Sequence, residues 1–372
     1  MEQIKPGTSL HELLTWVQRA GASDLHLQEE KPARYRVEGE LRVVSSDSLS
    51  PLTHEQLVQL LAECFSPETM ARIERKCEVD LSLQMGRTRW RANLSKQQGC
   101  QSCSFRIVPR HKFRLSDLRL PQTLTGVLTL PRGLVLLTGP TGQGKSTTVR
   151  ALLQEINATQ AMRIITIEDP IEYVFDDELS QFEQREVGID TASFADGIRN
   201  AMRQDPNVIF IGELRDRESI FAGMQAAETG HLVFTTLHAD STAQAVARLR
   251  EHYPAGEQDN LSRMLSRNLN MIVCQRLIPD MQGSRVPCLE ILKRDRTIQH
   301  ALEENELNRL TEIIEVCTQQ GMHSFDQYLT ELMIGGVVSD ATAKTYATNR
   351  HRLEMLLAGY QSSQGILLPE RR

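Results

Sequence analysis

The sequence predicts an α/β protein in which a largely buried parallel sheet (122–290) follows a small α+β domain (1–110) and precedes a helical region (291–360). Short apolar runs in the central part alternate with stretches of helical period: GLVLLTG (133–139), RIITIED (163–169), NVIFIGE (207–213) and HLVFTTLH (231–238). Strands that are apolar throughout indicate a sheet covered on both faces, and the helices between them supply the crossovers that parallel strands require. The length of 372 residues allows two domains with cores of their own.

The first domain is predicted from alternation between helical and strand periods. Its expected elements are a helix at 9–22 that stops near Gly21, a hairpin at 34–44 around Glu38-Gly39, a helical region at 53–75, two strands that turn at Gly86 and a strand at 104–110. A basic stretch with a proline at either end, 109–121, then favours an interdomain linker, placed at 111–121.

Helices are expected between and after the core strands. In the core they are predicted at 145–158, 193–204 and 217–229. Beyond residue 290 the pattern becomes strand-poor, and helices are predicted at 297–304, 307–320, 324–334 and 340–357.

Composition and charge exclude several classes of protein. The net charge of −6 gives no general electrostatic attraction to nucleic acid or anionic lipid. No apolar run approaches the ~20 residues that span a bilayer, and the charged N-terminus is unlike a signal peptide, so we expect a cytoplasmic protein. The seven scattered cysteines favour reduced thiols. Cys100 and Cys103 form one C-x-x-C motif. The alternative to plain thiols at these two positions is half of a zinc site or a redox pair.

A glycine-rich stretch, GPTGQGKSTT, follows the first core strand and opens a helix. It fits the P-loop pattern, whose backbone N–H groups surround phosphate oxygens, whose lysine reaches the β- and γ-phosphates and whose serine ligates Mg²⁺. The alternative is a strand–helix turn that binds nothing. We therefore predict a nucleotide site at Gly139, Pro140, Thr141, Gly142, Gln143, Gly144, Lys145, Ser146 and Thr147, with Lys145 on the phosphates and Ser146 on the metal.

Carboxylates follow two further core strands. TIEDPIEY places Glu168, Asp169 and Glu172 at the end of one strand, and NVIFIGE ends another with Gly212-Glu213, where nucleotide hydrolases commonly have an aspartate. Since ligands bind at the carboxyl ends of parallel strands, these acids are candidates to position metal and attacking water. Without the P-loop beside it, the simpler interpretation of such an acidic segment is a solvated surface turn.

The predicted strand HLVFTTLH begins with His231 and ends with His238. At this odd spacing they point to opposite faces of a regular strand, which makes them poor candidates for one shared metal. His238 lies at the carboxyl end and is a candidate contact of the γ-phosphate or the carboxylates. The alternative for either residue is a structural histidine.

The ordered motifs GPTGQGKST, TIEDPIEY, NVIFIGELRD and GHLVFTTLH resemble the secretion ATPases of type IV pili and type II secretion, in particular the retraction ATPases of the PilT and PilU type. ASDLHL (22–27), QREVGID (184–190), AAETGHL (226–232) and QGMHSFDQYL (320–329) extend the resemblance over nearly the whole chain. It implies a RecA-like P-loop ATPase core, a PAS-like N-terminal domain and a helical C-terminal extension. It also implies a homohexamer that hydrolyses ATP with Mg²⁺ and powers pilus retraction, a twitching-type motility.

The resemblance also implies roles for individual residues. Glu172 becomes the leading catalytic base, Glu213 binds Mg²⁺ indirectly or positions water, and Glu168 and Asp169 support the geometry. His231 and His238 match nucleotide-sensing histidines. Arginines from a neighbouring chain are expected to neutralise phosphate charge. The candidates are Arg89, Arg91, Arg106, Arg203, Arg215 and Arg248. The alternative for each of them is an ordinary surface arginine.

The resemblance implies partners as well: an inner-membrane pilus platform protein, and a paralogous pilus ATPase as a possible second one, with no nucleic acid. One departure is TIQHAL (297–302), which stands where PilT enzymes have AIRNLI and favours a PilU-like or specialised relative. Competing functions are an ATPase of a type IV or type II-like secretion or conjugation apparatus, a pilus-extension ATPase, a nucleic-acid motor and an accessory protein that binds ATP without turnover.

Overall fold

The computed structural model describes residues 8–44, 51–86, 88–108 and 114–364, without the side chains of 360–364. By its internal contacts the chain divides into two compact units. The first comprises Met1–Arg110 together with Glu172–Val174, and the second comprises His111–Ile171 and Phe175–Arg372. The predicted strand end at 109–110 and the start of the predicted linker, 111–113, lie outside the described residues.

The first unit contains a six-stranded antiparallel sheet in the order β3-β2-β1-β6-β5-β4. Its strands are Asp24–Gln28 (β1), Arg34–Val37 (β2), Glu40–Val43 (β3), Glu78–Met85 (β4), Thr88–Gln97 (β5) and Cys100–Val108 (β6). Glu38 and Gly39 both have positive φ, at 50° and 85°, which gives the two-residue turn whose twist suits a hairpin. The predicted hairpin and the turn at Gly86 are therefore confirmed.

Three helices accompany this sheet: Leu10–Arg19 (α1), His54–Ala62 (α2) and Pro67–Arg75 (α3). Ser9 and Glu12 form a capping box that starts α1, and its apolar face is fully buried. The predicted helical region at 53–75 is two helices, because Ser66 caps a new helix that Pro67 opens. Side chains from the helices and from one face of the sheet, Trp90 and Phe105 among them, form the core of this unit.

The second unit contains a seven-stranded sheet in the order β13-β12-β7-β11-β10-β8-β9. Its strands are Gly133–Thr138 (β7), Arg163–Glu168 (β8), Gln181–Glu186 (β9), Val208–Ile211 (β10), Leu232–Leu237 (β11), Leu269–Pro279 (β12) and Arg285–Lys293 (β13). All neighbours are parallel except β12 and β13. The central strands β7, β10 and β11 are buried at every position, as their apolar sequences predict.

The helices of the second unit are Gln122–Thr125 (α4), Lys145–Thr159 (α5), Phe194–Ala201 (α6), Arg217–Glu228 (α7), Thr242–Glu251 (α8), Gln258–Asn268 (α9), Arg296–Glu303 (α10), Arg309–Val316 (α11), Phe325–Ile334 (α12), Asp340–Tyr346 (α13) and Arg350–Gln364 (α14). The four predicted parallel strands and the helices between them are confirmed. Part of the predicted linker, Leu115–Leu118, is a 3₁₀ turn with Leu115 buried. The predicted helix at 340–357 is interrupted, because α13 ends at Tyr346 and α14 begins at Arg350.

Three strands of the second sheet were not predicted: β9, β12 and β13. The strand β13 continues to Lys293, so the sheet extends past residue 290, where we placed the end of the core. The fold class is nevertheless as predicted, a mixed α/β chain with a mostly parallel sheet.

All seven cysteines are free thiols. Cys100 and Cys103 are three positions apart in β6, so their side chains leave the strand on opposite faces. Burial raises the pKa of the Cys103 thiol to about 12, which disfavours the thiolate needed for metal binding or redox chemistry. Among the described residues, no helix is both long and apolar enough to cross a membrane.

Candidate nucleotide-binding site

The functional edge of the second sheet is where its parallel strands end. Thr138 of β7 pairs with Leu237 of β11, so the loop that begins at Gly139 starts beside His238. The strand β10 pairs with β11 on one side and with β8 on the other, which brings Glu213 to the same edge. This convergence is the ordinary location of a ligand in an open parallel sheet.

The loop between β7 and α5 has the backbone of a P-loop. Gly139, Gly142 and Gly144 have φ values of 142°, 78° and 80°, in a region that side chains disfavour. A Cβ atom at Gly139 would lie 2.3 Å from the backbone oxygen of Gln275, so only glycine fits there. The helix α5 begins at Lys145, directly after the loop, so its first N–H groups lie at this edge.

Lys145 is held inside this loop. Its Nζ donates hydrogen bonds to the carbonyl oxygens of Gly139 at 2.7 Å and Pro140 at 2.9 Å, and only 7% of the residue is exposed. Burial lowers the pKa of the ammonium, while the nearby carboxylate of Glu213 acts in the opposite direction. The loop thus concentrates a positive charge where phosphate oxygens would bind.

His238 connects the lysine to Glu213. Lys145 Nζ lies 3.3 Å from His238 Nδ1, and His238 Nε2 lies 3.6 Å from Glu213 Oε1. An ammonium can only donate, so Nδ1 accepts and the ring is neutral with its proton on Nε2, toward Glu213. Burial lowers the pKa of His238, and Lys145 lowers it further, which agrees with the neutral ring.

Arg215 extends this cluster to a second carboxylate. Its Nε donates to Glu213 Oε2 and one terminal nitrogen donates to Asp169 Oδ2, both at 2.8 Å. The hydrogen bond to Glu213 is the main reason that the pKa of Arg215 is raised. The structure therefore brings together Lys145, Glu213, His238 and Asp169 of the predicted site residues. Arg215, one of the candidate arginines, connects two of them within the same chain.

Glu168 has hydrogen-bond partners on the side of β9. Glu168 is 6% exposed, and its Oε1 accepts hydrogen bonds from Thr166 at 2.6 Å and from Gln184 at 3.1 Å, on the side of β9. Glu172 is exposed and belongs to the segment Glu172–Val174, which is grouped with the first unit. Its role as catalytic base therefore stays a prediction.

His231 lies at the opposite end of β11 from His238. Its Nδ1 is 2.9 Å from the carbonyl oxygen of Ala226 and 3.3 Å from the hydroxyl of Thr229, which ties it to the end of α7. The six residues of β11 separate the two histidines by about 20 Å. Within one chain, His231 is not placed to contact the same phosphate group as His238.

The predicted arginines are in different places. Arg91 and Arg106 face each other across β5 and β6, Arg89 lies two positions away in β5, and Arg106 donates to Asp24 at 2.6 Å. In the second unit, Arg203 and Arg248 are exposed, and Arg248 is one of the charges that lower the pKa of His238. Arg215 is the candidate that donates a hydrogen bond to Glu213.

Sequence reasoning missed Gln275, which lies in β12 and is 2% exposed. Its amide nitrogen donates to the carbonyl oxygen of Gln143 at 2.7 Å, and its amide oxygen accepts from the Thr148 hydroxyl at 2.8 Å. The Gln143 side chain in turn accepts from the backbone N–H of Leu277 at 2.6 Å. These bonds fix the loop to a strand that lies more than a hundred residues later in the chain, and no local motif signals them.

These contacts define a P-loop nucleotide-binding protein with a RecA-like sheet, since β11 separates the P-loop strand β7 from the carboxylate strand β10. The family follows from comparison with known sequences. The chain belongs to the Type II/IV secretion system protein family, whose model matches residues 6–362.

Similarity to individual proteins covers nearly the whole chain. It is 37% identical to the type IV pilus retraction ATPase PilT of Pseudomonas aeruginosa, over 90% of this chain and 97% of that one. It is 33% identical to the type IV pilus ATPase PilU of the same organism, over 93% of this chain and 90% of that one, so identity alone does not favour a PilU-like relative. A crystal structure of the pilus retraction motor PilT with bound ADP has a TM-score of 0.82 and 35% identity, and covers 94% of this chain and 99% of that one.

Proposed function

We propose that this protein is an ATP-hydrolysing motor that powers type IV pilus retraction. The observation that carries the proposal is the cluster at the end of the P-loop, where Lys145, His238 and Glu213 converge in a chain that is similar to PilT over nearly its whole length. The family membership and the ADP-bound relative support nucleotide as the ligand.

Binding of ATP follows from the loop itself. The backbone N–H groups of the loop and of the first turn of α5 are donors for phosphate oxygens, and the positive end of the helix dipole favours their charge. Lys145 exchanges its carbonyl partners for the oxygens of the β- and γ-phosphates, which are stronger, charge-assisted acceptors.

The residues present fit Mg²⁺. Among the described residues, no three or more His, Cys, Asp and Glu side chains are grouped to hold a metal by themselves. Mg²⁺ in nucleotide sites instead uses one or two protein oxygens, phosphate oxygens and water. Ser146 in the first turn of α5 would supply a hydroxyl, and Glu213 would hold a metal-bound water. When bound, Mg²⁺ would neutralise charge on the phosphates.

Hydrolysis requires a carboxylate beside the terminal phosphate. A water oxygen attacks the γ-phosphorus in line, the bond to the β,γ-bridging oxygen breaks, and the water proton passes to a carboxylate. We assign the orientation of this water to Glu213, whose Oε1 lies 3.6 Å from His238 Nε2, while His238 Nδ1 lies 3.3 Å from Lys145 Nζ. Glu172 is the proposed base, Glu168 and Asp169 support the geometry, and His238 senses the γ-phosphate.

The assembly that we propose is a homohexamer in which Arg89, Arg91 and Arg106 of one chain reach the nucleotide of a neighbouring chain. Each guanidinium would stabilise charge that develops on the transferred phosphoryl group. The ring works in the cytoplasm at the inner membrane, where it acts on a pilus platform protein together with a paralogous pilus ATPase. It does not require nucleic acid.

The test is Lys145→Ala, with exposed Lys31→Ala as the matched control. We expect Lys145→Ala to abolish ATP turnover by the purified protein and pilus retraction in a deletion strain complemented with the variant. Lys31→Ala should preserve both. Turnover by Lys145→Ala equal to that of the unchanged chain would refute the proposed enzyme, and a deletion strain that still retracts its pili normally would refute the proposed process.

A further inference from the structure

The edge of the parallel sheet opposite the P-loop contains a cavity of about 340 Å³. Gly133, which begins β7, lines it together with Ala227 near the end of α7 and Asn268 at the end of α9. The P-loop follows the other end of β7, so the length of that strand, about 20 Å, separates the cavity from the nucleotide site. The volume lies within the range of small-molecule sites, roughly 300–1,000 Å³.

The lining of this cavity is positively charged. It contains the exposed residues Arg132, Arg267 and Arg294, none of which has an ion pair or a side-chain hydrogen bond among the residues that the structure describes. Glu228 also lines the cavity, so three positive charges stand against one negative charge, a formal net charge of +2. The C-terminal ends of α7 and α9 offset about half a charge each at most, and the cavity stays positive. Its charge therefore favours an anion.

Asn268 adds a donor that lacks an acceptor. The residue is 8% exposed, and its Nδ2 is buried without a hydrogen-bond partner among the described residues. Rotation about the Cβ–Cγ bond exchanges the amide oxygen and nitrogen, so the nitrogen can face the cavity that this residue lines. A buried donor without a partner is unfavourable, and an oxygen of a bound anion would supply the missing acceptor.

Asn270 holds the backbone around the cavity in place. Its side-chain amide donates to the carbonyl oxygen of Arg132 at 2.6 Å, and its own carbonyl oxygen accepts from the N–H of Arg294 at 2.9 Å. A Cβ atom at Gly133 would lie 2.2 Å from Nδ2 of Asn270, so only glycine, with its φ of 109°, allows this approach. Two arginines that are far apart in the sequence are thereby fixed at one cavity.

We propose that this cavity binds a phosphate monoester, with Arg132, Arg267 and Arg294 on its oxygens and the amide of Asn268 as a further donor. A phosphate monoester carries about 1.5 to 2 negative charges at pH 7 and offers three strong acceptor oxygens. A carboxylate has one charge and two oxygens, which is too few for three guanidinium groups. Arginine is also the side chain that binds phosphate in a bidentate way.

The phosphate monoester belongs either to a soluble metabolite or to a lipid headgroup, since both present the same group. The inference goes beyond the proposed function, because no residue of the P-loop or of the carboxylate cluster enters it. It assigns this chain a second ligand, bound at the end of the sheet where no nucleotide is expected.

The test uses inorganic phosphate as the probe. Calorimetry gives its Kd for the full chain in the presence of excess ADP and Mg²⁺, which keep the P-loop occupied. The variants are Arg267→Ala and Asn268→Leu, and thermal unfolding is measured for each. Arg263→Ala is the matched control, because Arg263 is exposed one turn before Arg267 on α9 and does not line the cavity.

We expect Arg267→Ala and Asn268→Leu to raise the Kd for phosphate about tenfold or more, and Arg263→Ala to leave it within twofold. Asn268→Leu should not lower the Tm, because leucine replaces an unsatisfied buried donor with an apolar group of similar size. Absence of phosphate binding to the unchanged chain, or an equal Kd in Arg267→Ala and the unchanged chain, would overturn the inference. A lower Tm with an unchanged Kd in Asn268→Leu would remove that residue from the site.

A vesicle flotation assay distinguishes the two sources of the phosphate group. A lipid source predicts that vesicles of phosphatidylcholine with phosphatidic acid retain the unchanged chain and release Arg267→Ala, while pure phosphatidylcholine retains neither. Phosphate binding without such retention assigns a soluble phosphate monoester. The comparison stays valid if the proposed function fails, because the unchanged chain and all three variants share the same P-loop.

Discussion

At the scale of single residues, the charge at the P-loop is balanced through His238. Lys145 and Glu213 carry opposite charges, and the neutral imidazole between them accepts from one and presents a proton to the other. Because the pKa of His238 is lowered from its usual 6.5, the ring stays neutral at physiological pH, and protonation becomes important only in acid. The phosphate contact that we propose for His238 should therefore be independent of pH between about 7 and 8.

Gln275 provides the first prediction at this scale. Gln275→Ala removes the hydrogen bonds to Gln143 and Thr148 and leaves buried groups of the loop unsatisfied. An unsatisfied buried group costs about 1–3 kcal/mol, so we expect lower stability and a several-fold higher KM for ATP. Denaturant unfolding and steady-state kinetics measure these, with exposed Gln319→Ala as the control. A KM equal to that of the unchanged chain would show that Gln275 does not position the loop.

At the scale of elements, a buried histidine lies directly before the N-cap of α12. His323 is 7% exposed, its ring stacks on Tyr328 with centroids 4.7 Å apart, and its Nε2 is buried without a hydrogen-bond partner among the described residues. Burial lowers the pKa of His323 from 6.5 to about 4. This position belongs to the QGMHSFDQYL segment, and its environment assigns it a structural part in the fold.

The pH dependence of stability follows from that shift. The unfolded chain binds a proton at His323 near pH 6.5, whereas the folded chain does so only near pH 4, so stability is complete above 6.5 and is lost as the pH falls toward 4. Between pH 7 and pH 5 this residue accounts for a loss of about 2 kcal/mol.

His323→Phe tests this, because phenylalanine keeps the stacking and cannot titrate. Denaturant unfolding at pH 7 and pH 5 should show a smaller loss of stability for His323→Phe than for the unchanged chain. Exposed His351→Phe is the control and should keep the full loss. An equal pH dependence in His323→Phe and the unchanged chain would contradict the assignment.

The predictability of each element depended on its burial. The strands β7, β8, β10 and β11 were recognisable because they are mostly apolar and lie between helices. The edge strand β9 has the sequence QFEQRE, with one strongly apolar side chain, so no period marks it. The strand β12 is apolar over its centre, a pattern that does not distinguish a buried strand from a buried helix.

In the candidate site, the groups that belong to local motifs were predictable, and the contacts between distant segments were not. The P-loop and the carboxylates after β8 and β10 are local motifs, and parallel strands bring their ends together. The hydrogen bonds of Gln275 join segments more than a hundred residues apart, so they depend on strand order. The resemblance implies one role for His231 and His238, although β11 lies between them and separates them by its whole length.

At the scale of the whole molecule, the proposed hexamer predicts complementation between defective chains. A Lys145→Ala chain lacks a working P-loop, and a chain with Arg89, Arg91 or Arg106 changed to Ala lacks the proposed trans-acting arginine. If the arginines act on a neighbour, mixing the two inactive proteins creates sites with an intact P-loop and an intact arginine. We expect the mixture to recover a fraction of the ATPase activity.

The control for this experiment is Arg42→Ala, an exposed arginine of β3 in an ion pair with Glu40. It should retain activity by itself. Native mass spectrometry should show six copies in the active species. Arginine variants that are fully active alone would contradict the proposed trans contact, and a monomer that hydrolyses ATP at the full rate would contradict the ring.

The central claim is that Glu213 acts on the terminal phosphate of ATP held by the P-loop, and the most direct measurement is the ATP turnover of Glu213→Gln. The amide has the shape of the carboxylate without its charge, so we expect turnover to fall about a hundredfold or more while the Kd for ATP changes little. Glu218→Gln, at an exposed glutamate of α7, should be as active as the unchanged chain. Turnover by Glu213→Gln equal to that of Glu218→Gln would contradict the account.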